Sequence, residues 1–141
     1  MTPPITSFRG PYRFLSNFHP CLIKRDGLTF SSVEHAYQAA KSLDPAVRAE
    51  FTESIPPGAA KRRGRRVKLR PDWEEVKLDV MLGLLRRKFT QLDLRRQLLA
   101  TGDAELIEDN DWGDHFWGVC MGVGENHLGK LLMQVRGELK T

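Results

Sequence analysis

Trp73, Val76, Val80, Met81, Leu84, Leu85 and Phe89 recur at steps of three, four and one between charged positions. That is the apolar stripe of an amphipathic helix, predicted from about Pro71 to Phe89 and chiefly structural in role. Leu128, Leu131, Leu132, Val135 and Leu139 repeat the period and predict a terminal helix. A shorter helix is predicted from Leu92 to Ala100, ended by Thr101-Gly102 with Gly at the C′ position. Upstream the pattern changes. Cys21-Leu22-Ile23-Lys24 and Leu28-Thr29-Phe30 flank Arg25-Asp26-Gly27, and Asp-Gly between short apolar runs predicts a β-hairpin.

The hairpin delivers the chain into Ser31-Ser32-Val33-Glu34-His35-Ala36-Tyr37-Gln38-Ala39-Ala40-Lys41. Ser31 and Glu34 fit an S-x-x-E capping box, so a helix is expected to begin there, with three alanines favouring its continuation. Asp44-Pro45 opens another, running to about Thr52, and Ile55-Pro56-Pro57-Gly58 breaks it. A short basic helix follows from Ala59 to Arg66, while Phe8 to Phe18 reads as an irregular segment anchored by its aromatics. The expected fold is mainly α with a small β component (α+β). One compact domain over residues 1–141 would pack an N-terminal β-hairpin and one or two short strands against about six helices.

Composition narrows the class. Hydrophobic residues at 40% and charged residues at 28% are those of a folded globular chain of one-domain size. No apolar run approaches the roughly 20 residues of a membrane span, and the N-terminus lacks a charged region followed by an apolar one, so a cytoplasmic protein is expected. Cys21 and Cys120 are far apart and outside any metal-ligand spacing, which makes them free thiols by default, and no metal is assigned to His35, His115 or His127. The net charge of +4 is uneven. Much of it lies between Lys61 and Arg70, a run suited to phosphate or equally to a solvated helical face.

Candidate chemistry lies in two stretches. On the helix opening at Ser31, Glu34, Gln38 and Lys41 share one face, with Glu34 and Lys41 about 10 Å apart along the axis. In the plainer reading Glu34 serves only the capping box and Lys41 faces water near the helix end. The second stretch runs from Glu108 to Asn126, acidic first and then rich in Gly and aromatics. Asp111 and Asp114 bracket Trp112-Gly113 as candidate acid/base or ribose-hydroxyl ligands, with turn-forming Asp the equally common alternative. Gly118, Gly122 and Gly124 lead to Asn126 at the mouth of the last helix, without the spacing of a P-loop or dinucleotide fingerprint. Trp73 and Trp112 are candidates to stack on a base, although Trp at the start of an apolar stripe is more often core.

Taken together, ordered blocks along nearly the whole chain resemble the NADAR, or YbiA-like, family. They include Phe14-Leu15-Ser16-Asn17-Phe18, Ser32 to Lys41, Ala60 to Arg65, Arg70-Pro71-Asp72-Trp73, Lys88-Phe89, Thr101-Gly102, Trp112-Gly113-Asp114 and Asn126 to Arg136. The resemblance implies an N-glycosidase that hydrolyses a ribose N-glycosidic bond and needs no cofactor. One branch of the family releases ribose 5-phosphate from early riboflavin-pathway intermediates. Another removes ADP-ribose from ADP-ribosylated guanine in DNA or RNA, opposing a cognate ADP-ribosyltransferase toxin.

The resemblance places the essential carboxylate at Glu34, with Lys41 and Asp114 as further catalytic positions. Arg9, Lys61 and Arg65 would hold phosphate, Trp73 or Trp112 would stack on the base, and Asn17, Gln38, Gly113 and Asn126 complete the expected substrate contacts. The pocket is expected between the Glu34 helix and the Trp112 loop, with no membrane partner. The competing reading keeps the same residues without catalysis, as a binding module for ADP-ribose, NAD or nucleic acid.

Overall fold

The structure, a computed structural model, describes residues 2–141. Its contacts divide the chain into two units, Asn17–Lys88 and a second one made of the segment up to Ser16 with Phe89–Thr141. It is mainly helical with short strands, the expected α+β class.

The Asn17–Lys88 unit begins with the hairpin. Strands β1 (Ile23–Arg25) and β2 (Leu28–Phe30) pair antiparallel with Ile23 opposite Phe30. Asp26 and Gly27 form the turn at φ of 52° and 77°, the left-handed pair that matches the twist of the strands. Asp26 also accepts from Arg25 and Arg48, which ties the turn to the helix carrying Arg48. Four helices follow: α1 (Val33–Ala40), α2 (Pro45–Glu50), α3 (Pro57–Gly64) and α4 (Trp73–Lys88). Asp44 caps α2 by accepting from the Ala46 amide, and Pro45 fills the first helical position. α2 stops at Glu50, short of Thr52, and α3 starts and ends two residues earlier than expected because its tandem prolines serve as cap and first turn instead of a break.

The apolar stripe of α4 is realised. Trp73, Met81, Leu84 and Leu85 are buried, with Val76 and Val80 at its margin. At its end Lys88 is fully buried, and desolvation pushes its pKa down to about 8. The thiol of half-buried Cys21 opposes that shift electrostatically. α1 is central to this unit, packing on α2, α3, α4 and the hairpin, and every one of its residues is buried.

The other unit holds a 3-10 helix (Gly10–Leu15), α5 (Leu92–Ala100), a two-residue parallel pair β3 (Asp109–Asn110) and β4 (Val119–Cys120), and α6 (His127–Leu139). Gly102 follows α5 at φ 63°, in the expected C′ role. Ile5 exchanges main-chain hydrogen bonds with Glu105 and Ile107, which fastens the N-terminal segment. Buried Arg136 of α6 donates to the Thr101 hydroxyl at 2.8 Å. No helix among the described residues is long and apolar enough to cross a membrane.

Candidate active site

The start of α1 decides how Glu34 is used. The cap is Ser32 and not Ser31: the Ser32 hydroxyl accepts from the His35 amide at 3.2 Å. Ser31 is held back by the hairpin, since its carbonyl accepts from the Cys21 amide. The Ser32 hydroxyl proton goes to His35 Nδ1 at 2.6 Å, and His35 Nε2 donates to the Ile55 carbonyl at 2.7 Å. Both ring nitrogens of His35 are thereby engaged in structure. With the cap one residue later than expected, the third helical position belongs to His35, and Glu34 has no part in a capping box.

Glu34 is nonetheless buried, at 7% exposure. Its amide donates to the Asn17 carbonyl at 3.1 Å, which brings Asn17 alongside. One turn on, the Gln38 amide reaches Glu34 Oε1 at a long 3.5 Å. That orientation leaves Gln38 Oε1 buried without a partner, as is Asn17 Oδ1. A stranded buried acceptor costs about 1–3 kcal/mol. Flipping the Gln38 amide would turn its carbonyl on the Glu34 carboxylate, which is worse. Gly64 of α3 makes room for this side chain, because a Cβ there would collide with the Gln38 amide.

Lys41 closes α1, its carbonyl anchored by the Arg70 amide at 2.7 Å. Its ammonium lies 5.8 Å from the Tyr37 ring centroid, and that ring packs against Trp73 at 5.2 Å with a 55° tilt. Burial pushes the Lys41 pKa below the ordinary lysine value; Glu34 opposes this, while Arg65, Lys61 and Lys77 add to it. Glu34, Gln38, Lys41, Lys61, Arg65 and Trp73 therefore belong to one neighbourhood of this unit, with Asn17 at its edge. Trp73 is buried to 5% exposure and packs on Tyr37.

The remaining expected positions lie in the other unit. Buried Asn110 organises the loop after β3: its carbonyl oxygen accepts from the Trp112 and Asp114 amides, and its amide donates to the Asp114 and Val119 carbonyls. Gly113 turns the loop at φ 83°, Trp112 is 53% exposed, and Asp114 Oδ1 accepts from the Phe116 and Trp117 amides at 3.1 and 2.9 Å. Asn126 occupies the cap position of α6 in a left-handed conformation at φ 54° and does not cap it. Its side chain instead accepts from the Glu108 amide and donates to the Leu106 carbonyl. Gly118 and Gly124 are packing glycines, since a Cβ on either would strike the Glu108 or Gly118 carbonyl. Arg9 is exposed ahead of the 3-10 helix, where its carbonyl accepts from Tyr12.

The family model of the NADAR domain matches residues 6–140. The chain belongs to the NADAR family. It is 46% identical over 132 residues to the N-glycosidase YbiA of Escherichia coli strain K12, covering 91% of this chain and 82% of that one. A riboflavin biosynthesis protein of Vibrio vulnificus strain YJ016 is 41% identical over 131 residues, which are 90% of this chain and 35% of the other. The NMR structure of the E. coli protein YbiA matches with a TM-score of 0.86 at 41% identity, over 99% of this chain and 87% of that one.

Within this NADAR chain, Tyr37 and Lys77 join the neighbourhood of Lys41 without having been singled out by sequence. The signal was present: Tyr37 lies three residues after Glu34 and four before Lys41, and Lys77 lies four after Trp73 on α4. Asn110 carried no comparable signal, because nothing local distinguishes a loop-organising Asn from a solvated one.

Proposed function

We propose that this NADAR chain is an N-glycosidase that hydrolyses the bond between a nitrogen and C1′ of a phosphorylated ribose, with Glu34 at the reacting centre. The observation that carries this reading is the state of Glu34. It is a buried carboxylate one position short of the capping-box place, beside a half-buried lysine whose ammonium form is disfavoured. The 46% identity to an N-glycosidase over most of both chains supports the same chemistry. Breaking the C1′–N bond builds positive charge on C1′ and the ring oxygen. A carboxylate held beside them stabilises that charge and transfers the proton that water or the leaving nitrogen requires.

Early riboflavin-pathway ribosylamines are the substrates this reading favours, in line with the riboflavin-related relative. Lys61 and Arg65 are the cations for the ribose phosphate, and the Tyr37–Trp73 pair is the aromatic wall of the same neighbourhood. In an alternative, covalent course of this proposal the sugar ring opens first and Lys41 is the nucleophile. Its neutral amine attacks C1′ of the ring-opened ribosylimine, the substrate amine departs with a proton, and water hydrolyses the resulting Schiff base to the free sugar aldehyde and Lys41. Borohydride added during turnover should trap a sugar on Lys41, and an active wild-type enzyme that yields no adduct would reject the covalent step.

A second reading, removal of ADP-ribose from ADP-ribosylated guanine, is favoured by the half-exposed indole of Trp112, which is available to stack on a base. A cognate ADP-ribosyltransferase would be the partner in that case. Purified wild type and Glu34→Gln, offered a ribosylaminopyrimidine phosphate and an ADP-ribosylated guanine oligonucleotide in parallel, separate the readings. Ribose 5-phosphate released by wild type alone supports the first, and free ADP-ribose supports the second. Binding of either compound with no product from wild type would leave a non-catalytic module and overturn both.

A further inference from the structure

The Asn17–Lys88 unit carries an open groove of about 530 Å³ between the α1–α2 connection and the segment that follows α3. Glu34, Gln38, Lys41, Lys61 and Arg65 are absent from its lining. α3 and the turn that ends it thus divide their cations: Lys61 and Arg65 belong to the Lys41 neighbourhood, while Arg63 and Arg66 line the groove.

The groove is built as well as charged. Two of its cations are fixed within the protein: Arg70 forks onto Asp72 at 2.6 and 3.1 Å, and Arg63 donates to the Glu50 carbonyl at 2.9 Å beside Glu53. Arg66 and Lys68 are exposed and have no side-chain partner among the described residues. Next to them stand two large apolar side chains in water, Leu43 at 57% and Leu69 at 48% exposure. The main chain is unused as well. Lys68 and Leu69 neither donate nor accept a main-chain hydrogen bond among the described residues, between the Val67 amide, which pairs with Gly64, and the Arg70 amide, which pairs with Lys41.

We propose that this groove seats an extended segment of a partner protein, one that alternates leucine-type and acidic side chains. Unpaired main-chain groups next to apolar pockets are what an added peptide strand requires: the backbone supplies hydrogen bonds and alternate side chains enter the pockets. Free Arg66 and Lys68 select carboxylates on the incoming segment, and Leu43 and Leu69 are buried by its apolar residues. A nucleic-acid strand fits less well. Asp44 and Glu50 also line the groove and repel a uniform polyanion, no aromatic ring is there to stack a base, and a hydrated phosphate backbone gains nothing from two exposed leucines. In the Vibrio vulnificus relative the matched region is 35% of the chain, so this kind of domain does adjoin further polypeptide.

The test is selection of 12-residue linear peptides from a display library on the purified protein, followed by fluorescence anisotropy with the enriched peptides. Sequences interleaving Asp or Glu with Leu, Ile or Val are expected. Their affinity should fall at least about tenfold for the Arg66→Glu/Lys68→Glu variant and return when the acidic positions of the peptide are changed to Lys. Leu69→Ser should weaken the same peptides, with the circular dichroism melt unchanged because Leu69 is exposed. Three results would overturn the proposal: no acidic-apolar enrichment, peptides that bind the charge-reversed variant equally well, or a labelled oligothymidylate that outcompetes them and is insensitive to Leu69→Ser.

Discussion

The segment from Asn17 to Lys41 and the loop from Asn110 to Asn126 are both rich in polar side chains, and they treat those side chains in opposite ways. In the loop, the Asn110 and Asn126 side chains are each paired to main chain at both ends, and Asp114 accepts two amides. Those bonds give each of these side chains a structural use. Along α1, Gln38 spends its amide on a long contact with Glu34 and buries its carbonyl unpaired, and Asn17 does the same with its own oxygen. Folding alone would favour apolar side chains at such places. The comparison separates buried polar groups that the fold uses from those it leaves unused, and the second kind are the candidates for chemistry.

Substitution at Glu34 carries the largest expected effect. Glu34→Gln preserves shape and burial, so the thermal melt should stay close to that of wild type while kcat falls by roughly 10²–10⁴-fold. A Gln variant that turns over normally would remove the distinction between the two regions. Lys41→Arg comes next. It keeps the charge and loses the nucleophilic amine, so the trapped adduct should vanish and turnover should fall by about 10²-fold or more. The wild-type rate should climb with pH and level off at a pKa below that of an ordinary lysine, because the reactive form is the neutral amine and burial favours it. That limb should persist in Lys88→Met, which removes the fully buried lysine whose pKa desolvation pushes down to about 8.

Asn126→Ala sharpens the comparison from the other side. It strands the Glu108 amide and the Leu106 carbonyl and leaves a left-handed residue without its amide, for an expected loss of about 2–4 kcal/mol in chemical denaturation. Turnover per folded molecule should change far less than with Glu34→Gln. A large loss of kcat in a fully folded sample would place Asn126 on the substrate.

Elements with a long period or a strong punctuation signal were legible in sequence. The α4 stripe, the Asp-Gly hairpin, the Asp44-Pro45 start and the Gly102 stop all appear close to where the pattern put them. The start of α1 was not, because Ser31 and Ser32 are equally good caps locally and only the pairing of Ser31 with Cys21 decides between them. That one-residue shift changes the meaning of Glu34 from cap partner to candidate acid. The clustering of Lys41 with Lys61, Arg65 and Lys77 was only half legible, since it depends on α3 and α4 packing on α1. The roles of Asn110 and Asn126 rest on contacts up to 20 residues distant, beyond any local pattern.

Asp114 is where the comparison is most finely balanced, and the expected effect there is smallest. Its Oδ1 holds the Phe116 and Trp117 amides, a turn-forming use that an Asn side chain reproduces with its own carbonyl oxygen. Asp114→Asn therefore keeps the turn and deletes only the negative charge. If this loop is architecture, the variant should melt within about 1 kcal/mol of wild type and lose less than tenfold in kcat/KM. If the charge acts on the substrate, as the resemblance to the family implies, the melt will be equally unperturbed but kcat will drop toward the level of Glu34→Gln. Asp114→Ala completes the measurement, because it also removes the turn. A structural Asp114 makes Ala far worse than Asn in stability with similar turnover per folded molecule, while a chemical one makes the two variants equal in kcat.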